Sequence, residues 1–179
     1  MLEPDGAKTA SASPLKIILP IGVLCLVVGI LAMMLLPDRT PKLDLEILQA
    51  NRALWSGEGA GDYDISITIR IDRQEESRAT VSVRNGEIVS QSYNGLARAG
   101  KDDSYTIEGL FKIMERELKM AQEAKEKSGT VLKAKFDDRL GFPVVFKRLT
   151  TRPGARSCVI SIVELRSKDS GILFSTEQP

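Results

Sequence analysis

The chain contains no histidine among its 179 residues. That removes the commonest metal ligand and the one side chain whose unperturbed pKa lies near neutral pH, so metal-assisted and His-based acid/base chemistry start without their usual residue. Cysteine is almost as scarce, with Cys25 inside a long apolar run and Cys158 in a strand-like run far downstream. A bridge between them would have to join membrane to domain and is rejected; no CxxC or Cys/His cluster offers a zinc site. Cys158, amid Val159, Ile160 and Ile162, reads as a small core hydrophobe rather than a reactive thiol. Net charge is nearly absent too: 25 Lys and Arg stand against 24 Asp and Glu. No overall field gathers nucleic acid or steers a charged substrate, and nucleic-acid binding is not expected. Cofactors and bound metals are likewise not expected.

One long stretch has no charge at all. Ile17 to Leu36 reads IILPIGVLCLVVGILAMMLL, twenty residues that as a helix would cross roughly 30 Å of hydrocarbon. No face of it is polar, which argues against a buried core helix, and Pro20 falls in the first turn, where it costs little. A cleaved signal peptide is the competing reading, with Lys16 before the run and a weak site at Ile30-Leu31-Ala32. The run continues through Met33, Met34, Leu35 and Leu36 and favours a retained anchor. Lipid attachment at Cys25 is disfavoured because Leu24 precedes it and the cysteine lies in mid-run. Lys8 and Lys16 before the run against Arg39, Lys42 and Arg52 after it give the charge rule too small a difference to set the orientation. A single-pass protein with its tail in the cytoplasm and its C-terminal domain outside is expected, since long domains cross largely regardless of charge.

The expected organisation is a disordered polar tail (1–16), a transmembrane helix (17–36), a linker (37–42), an α+β domain (43–167) and a flexible C-terminal tail (168–179). Thr40-Pro41 offers an N-cap and a first-turn proline, and Leu45, Leu48, Arg52 and Trp55 fall on one stripe of a first helix ending at Trp55, with Gly57 as its stop. Trp55 reads as a packing residue. Tyr63, Ile65, Ile67, Ile69 and Ile71 alternate with polar residues, the period of a half-buried strand. Ala79 to Arg84 and Glu87 to Tyr93 flank Asn85-Gly86, a type I′ hairpin signal; Asn94 to Ser104 then reads as an exposed loop. Ile107, Leu110, Phe111, Met114, Leu118 and Ala121 recur at three and four residues, predicting an amphipathic helix from Thr106 to about Lys127 closed by Gly129. Val131 to Phe136, Val144 to Thr150 and Cys158 to Leu165 complete six strands. The order helix, three strands, helix, three strands, with short links, predicts an α+β fold on an antiparallel sheet.

With these elements placed, the stretch from about Leu54 to Leu165 resembles a bacterial family of unknown function, DUF6174. The resemblance rests on Trp55 followed by Asp62-Tyr63-Asp64-Ile65, on Val83-Arg84-Asn85-Gly86-Glu87-Ile88-Val89, and on Tyr105-Thr106-Ile107-Glu108-Gly109-Leu110-Phe111. Phe136-Asp137 and Gly141-Phe142-Pro143 close it. It implies an exported, membrane-associated protein and supplies no reaction. Members often carry a cysteine pair in the first hairpin and an acidic cluster before the last strand. Here Arg73-Gln74-Glu75-Glu76-Ser77 and Thr151-Arg152-Pro153-Gly154-Ala155-Arg156 stand instead, so any cation binding by that cluster does not carry over.

The remaining candidates are weak. Asp102-Asp103 and Asp137-Asp138 read as turn residues, without the spaced ligands of a calcium loop. Ser104 with Lys101 is the one Ser-Lys pairing, and it has no supporting motif. Gly57-Glu58-Gly59-Ala60-Gly61 precedes a strand instead of opening a helix, which excludes a phosphate loop. Lys147, Arg148, Arg152 and Arg156 read as a solvated strand face, with a patch for anionic lipid as the alternative. No catalytic, cofactor-binding or metal-binding residue is assigned. A membrane-anchored envelope protein serving as a non-catalytic binding or structural module is expected, its partners the lipid bilayer and an envelope protein. The alternatives are a small envelope hydrolase using carboxylates or a Ser-Lys pair, and an accessory subunit of a membrane complex.

Overall fold

A computed structural model describes residues 38–100, 102–124, 129–151 and 153–176. The tail and apolar run expected at 1–36, with Pro20 and Cys25, lie outside the described residues, as do Lys101 and Arg152. Among the described residues no helix is long and apolar enough to cross a membrane.

The class is α+β, as expected: among the described residues there are two α-helices and an antiparallel sheet. The chain from Thr40 onward forms one compact unit. Its elements run α1 (Leu45–Glu58), β1 (Tyr63–Ile71), β2 (Ser77–Arg84), β3 (Glu87–Tyr93), β4 (Leu96–Ala97), a 3₁₀ turn (Asp103–Tyr105), α2 (Ile107–Glu123), β5 (Thr130–Phe136), β6 (Pro143–Thr150), β7 (Cys158–Ser167) and β8 (Gly171–Ser175). The sheet order is β4-β3-β2-β1-β7-β6-β5, with β8 also on β7. β1 pairs along the length of β7 on one edge. β6 takes the first half of the other edge at 158–161 and β8 the second half at 164–167.

Four details differ from the sequence expectation. The first helix begins at Leu45 because Asp44, not Thr40, caps it, its carboxylate accepting from Ile47 N–H at 2.8 Å. Pro41 to Leu43 is instead extended against β5: Leu43 N–H donates to Leu132 O at 2.9 Å, and Ala134 N–H to Pro41 O at 3.1 Å. α1 also runs past Trp55 to Glu58, and Gly59 closes it by donating to Trp55 O at 2.7 Å. Second, the loop after β3 contains the two-residue strand β4 and the 3₁₀ turn. Third, α2 ends at a cap on Ala124, so Gly129 is not its cap; Gly129 O accepts from Thr151 N–H at 3.0 Å and thereby joins the β5–β6 pair. Fourth, a strand, β8, stands where a flexible tail is expected. Its Phe174 packs edge-on against Phe142 at 5.8 Å, burial that a polar-looking terminal segment does not advertise.

The expected strand and hairpin signals hold. Ile65, Ile67 and Ile69 are buried, and Asn85 and Gly86 have φ of 52° and 74°, the left-handed pair that a type I′ turn requires. α2 lays Ile107, Leu110, Phe111, Met114 and Leu118 on the sheet, all buried, and Phe111 stacks on Phe136 at 6.1 Å. Burying five such side chains contributes on the order of 10 kcal/mol before conformational entropy is subtracted. Thr106 starts this helix by accepting from Gly109 N–H at 2.9 Å, a cap worth about 1 kcal/mol.

Candidate functional site

A concavity lies where three chain reversals meet: the end of α1, the β2–β3 hairpin and the start of α2. It holds about 670 Å³. Trp55 and Tyr63 form its base, Glu87 and Ile88 its hairpin wall, and Asp103, Glu108 and Lys112 its helical wall. The local causes are legible. Trp55 is pinned edge-on between Tyr63 at 5.7 Å and Phe142 at 6.1 Å. Gly59 has to be glycine because a Cβ there would lie 2.5 Å from the indole, and its turn brings Gly61 and Tyr63 back under the ring. Gly109 is equally constrained, since a Cβ there would meet the carbonyl of Asp103; its lack of a side chain lets the 3₁₀ turn lie flat on the first turn of α2.

Tyr63 links the base to that helix. Its phenol oxygen accepts from Ile107 N–H at 3.2 Å, satisfying one of the donors that a helix N-terminus leaves open. Burial pushes its pKa up to about 12, against the lowering effect of that hydrogen bond. The phenol therefore stays neutral at physiological pH. The cleft's charges are largely committed: Lys112 Nζ is 2.6 Å from Asp103, and Arg52 reaches from α1 to Glu108 at 3.0 Å and Glu115 at 3.3 Å. Such an arrangement presents shape, an aromatic floor and paired charges, which suits recognition better than proton transfer.

The residues weighed from sequence fall elsewhere or into structural roles. Asp137 accepts from Leu140 N–H at 2.7 Å and Arg139 N–H at 3.1 Å, closing the β5–β6 turn, while Asp138 is exposed. Asp102 accepts from Ser104 N–H at 3.0 Å; that residue's hydrogen bonds, with Arg98 a minor contributor, hold its carboxyl below its ordinary range. Asp103 alone of these four reaches the cleft. Ser104 is described, whereas its candidate partner Lys101 lies outside the described residues. Cys158 is half-buried, and desolvation raises its thiol pKa, the opposite of what a nucleophile needs.

The basic series is divided by the strand pleat. Arg148 turns toward α2 and pairs with the buried Glu117 at 2.9 Å, and it also donates to Arg156 O at 3.0 Å. Lys147 lies on the opposite face, in register with Lys133. Among the described residues no group of His, Cys, Asp and Glu could hold a metal ion.

Sequence reasoning did not find the cleft. Its signals are present in Thr106-Ile107-Glu108-Gly109 and in the glycines after Trp55, but read locally the first is only the start of a helix and the second only a stretch that opens no phosphate loop. A second groove, of about 650 Å³, runs between α2, β5 and the incoming segment at Lys42 to Asp44.

A family model described as a family of unknown function, DUF6174, matches residues 47–147, more than half of the chain. No curated protein and no solved structure matches it.

Proposed function

The chain belongs to the DUF6174 family of unknown function, and from that premise we propose that it is a single-pass envelope protein whose outer domain is a non-catalytic binding module. The observation that carries the binding reading is the cleft beside Trp55 and Tyr63. It is roomy, framed by two helices and a hairpin, and its Lys112 is paired with Asp103 while Arg52 pairs with Glu108. Small-molecule and peptide sites of this size are commonly concave and preformed, with few polar groups. The uncharged run Ile17 to Leu36 supports the anchored part, and the resemblance supports export. Enzymatic activity is not proposed: Lys112 is held by Asp103, and the half-buried thiol of Cys158 is raised in pKa.

The test is photo-crosslinking in the native cell from the exposed Glu87 position on the hairpin wall, with Ile172 on β8 as the control site. A discrete adduct from position 87 that is missing at 172 supports the cleft as the binding surface. Equal labelling from both positions, or none from either, refutes it.

A further inference from the structure

The second groove lies beside the point where the domain is joined to the apolar run. Its floor and walls are Leu43, Leu118, Ala121, Val131 and Leu132, and Lys42 stands at its rim. A smaller hollow lined by Met120 and Arg156 adjoins it, sharing Ala121 and Thr130. Two of the large apolar side chains left in solvent line these hollows, Met120 and Val131, at 44% exposure each. An apolar surface of this kind ordinarily marks an interaction site.

The occupant is argued from chain length. Lys42 on the groove rim stands six positions after Leu36, the end of the uncharged run. Fully extended, those six steps reach about 20 Å. If the run spans a bilayer, the groove is confined to the headgroup layer or the water just beyond it. The cations Lys42 and Arg156 are exposed; of the carboxylates alongside, Glu117 is paired with Arg148 and Asp44 caps α1 at 2.8 Å, while Glu123 is exposed. The end of the domain nearest the tether therefore offers lipid apolar side chains with two exposed cations beside them.

We propose that this end of the domain docks on the surface of the bilayer that its own anchor spans, with the groove between α2 and β5 taking acyl-chain contact and Lys42 and Arg156 facing anionic headgroups. The inference rests on the anchored reading of residues 17–36. It also gives the distant cleft its orientation: the Trp55 site would point away from the docked end, toward partners in the surrounding space.

The experiment uses the full chain in vesicles of phosphatidylethanolamine and phosphatidylglycerol that carry a diazirine on the acyl tail, with photolysis followed by peptide mass spectrometry. Docking predicts lipid adducts in the apolar run and, separately, in peptides covering 40–48 and 118–133, with none around Val89 or Ile172. Val131→Asp together with Met120→Asp, both at exposed positions, should lower the groove adducts by about tenfold or more, the effect of an unpaired carboxylate beside hydrocarbon. Adducts in the run should not change. Adducts in the run but not in the groove overturn docking and leave the anchor standing. Loss of adducts from the run itself overturns both.

Discussion

Replacing Gly109 with alanine sets two effects of opposite sign against each other. Gly109 sits in the first turn of α2, and helix propensity alone says that alanine there stabilises by about 1 kcal/mol. The packing says otherwise. A Cβ would lie 2.6 Å from the carbonyl carbon of Asp103, closer still to its oxygen, and 2.9 Å from the carbonyl carbon of Ser104. These are backbone atoms and cannot rotate away. The Asp103 carbonyl is also committed, accepting from Thr106 N–H at 2.9 Å and from Thr106 Oγ1 at 2.7 Å, while Thr106 in turn caps Gly109. Displacing that carbonyl weakens two hydrogen bonds and a cap, each worth about 1 kcal/mol, and adds overpacking of about 1–3 kcal/mol. The net expectation is a loss of about 2–4 kcal/mol, which lowers the melting temperature of a domain this size by roughly 10 °C. Trp55, the single tryptophan and a buried one, reports unfolding by its fluorescence. Gly57→Ala is the internal control: it lies inside α1 with nothing within 4 Å of the added carbon, so it should melt slightly higher than the native chain. A Gly109→Ala protein that melts at or above the native temperature would refute the packing argument.

Leu110→Asp and Phe111→Asp should each abolish the cooperative melt, since both side chains face the sheet and are buried and an unpaired buried charge costs several kcal/mol; native-like melting would place this helix face elsewhere. Glu117→Gln should destabilise by about 2 kcal/mol, at the low side for a broken buried pair because Arg148 keeps 31% exposure, and a double-mutant cycle with Arg148→Met measures the coupling. Tyr63 binds its proton more tightly folded than unfolded, so its stabilisation is complete below pH 10 and is lost as pH rises from 10 toward about 12, at no more than about 1.4 kcal/mol per unit; Tyr63→Phe should flatten that alkaline slope in urea titrations. A fragment beginning at Thr40 should fold alone, because the compact unit starts there; aggregation without a cooperative transition would contradict this.

The family resemblance, the α+β class and most elements were legible because each is written in local pattern. Five alternating residues from Tyr63 to Ile71 can bury one face only as a strand. Asn85-Gly86 tolerates positive φ at both positions. The stripe from Ile107 to Leu118 closes on itself only with a helical period. The misreadings share the opposite cause. Thr40-Pro41 is an adequate helix start by its own chemistry and lost to Asp44 because the backbone of Pro41 and Leu43 bonds to β5, a partner remote in sequence. β8 lacks a strong strand pattern and is held by Phe142 and the vacant half of β7's edge.

What the sequence by itself determined is therefore whatever depends on neighbours along the chain: periodicity, caps, turns and the uncharged run. Only the tertiary structure decided that β1 lies between β2 and β7, that Arg148 meets Glu117 of α2, and that Trp55, Tyr63, Glu87 and Lys112 border one cleft. Each of these depends on which surfaces exclude water together after the chain has closed on itself. That is a sum over contacts distant in sequence, and no local window contains it.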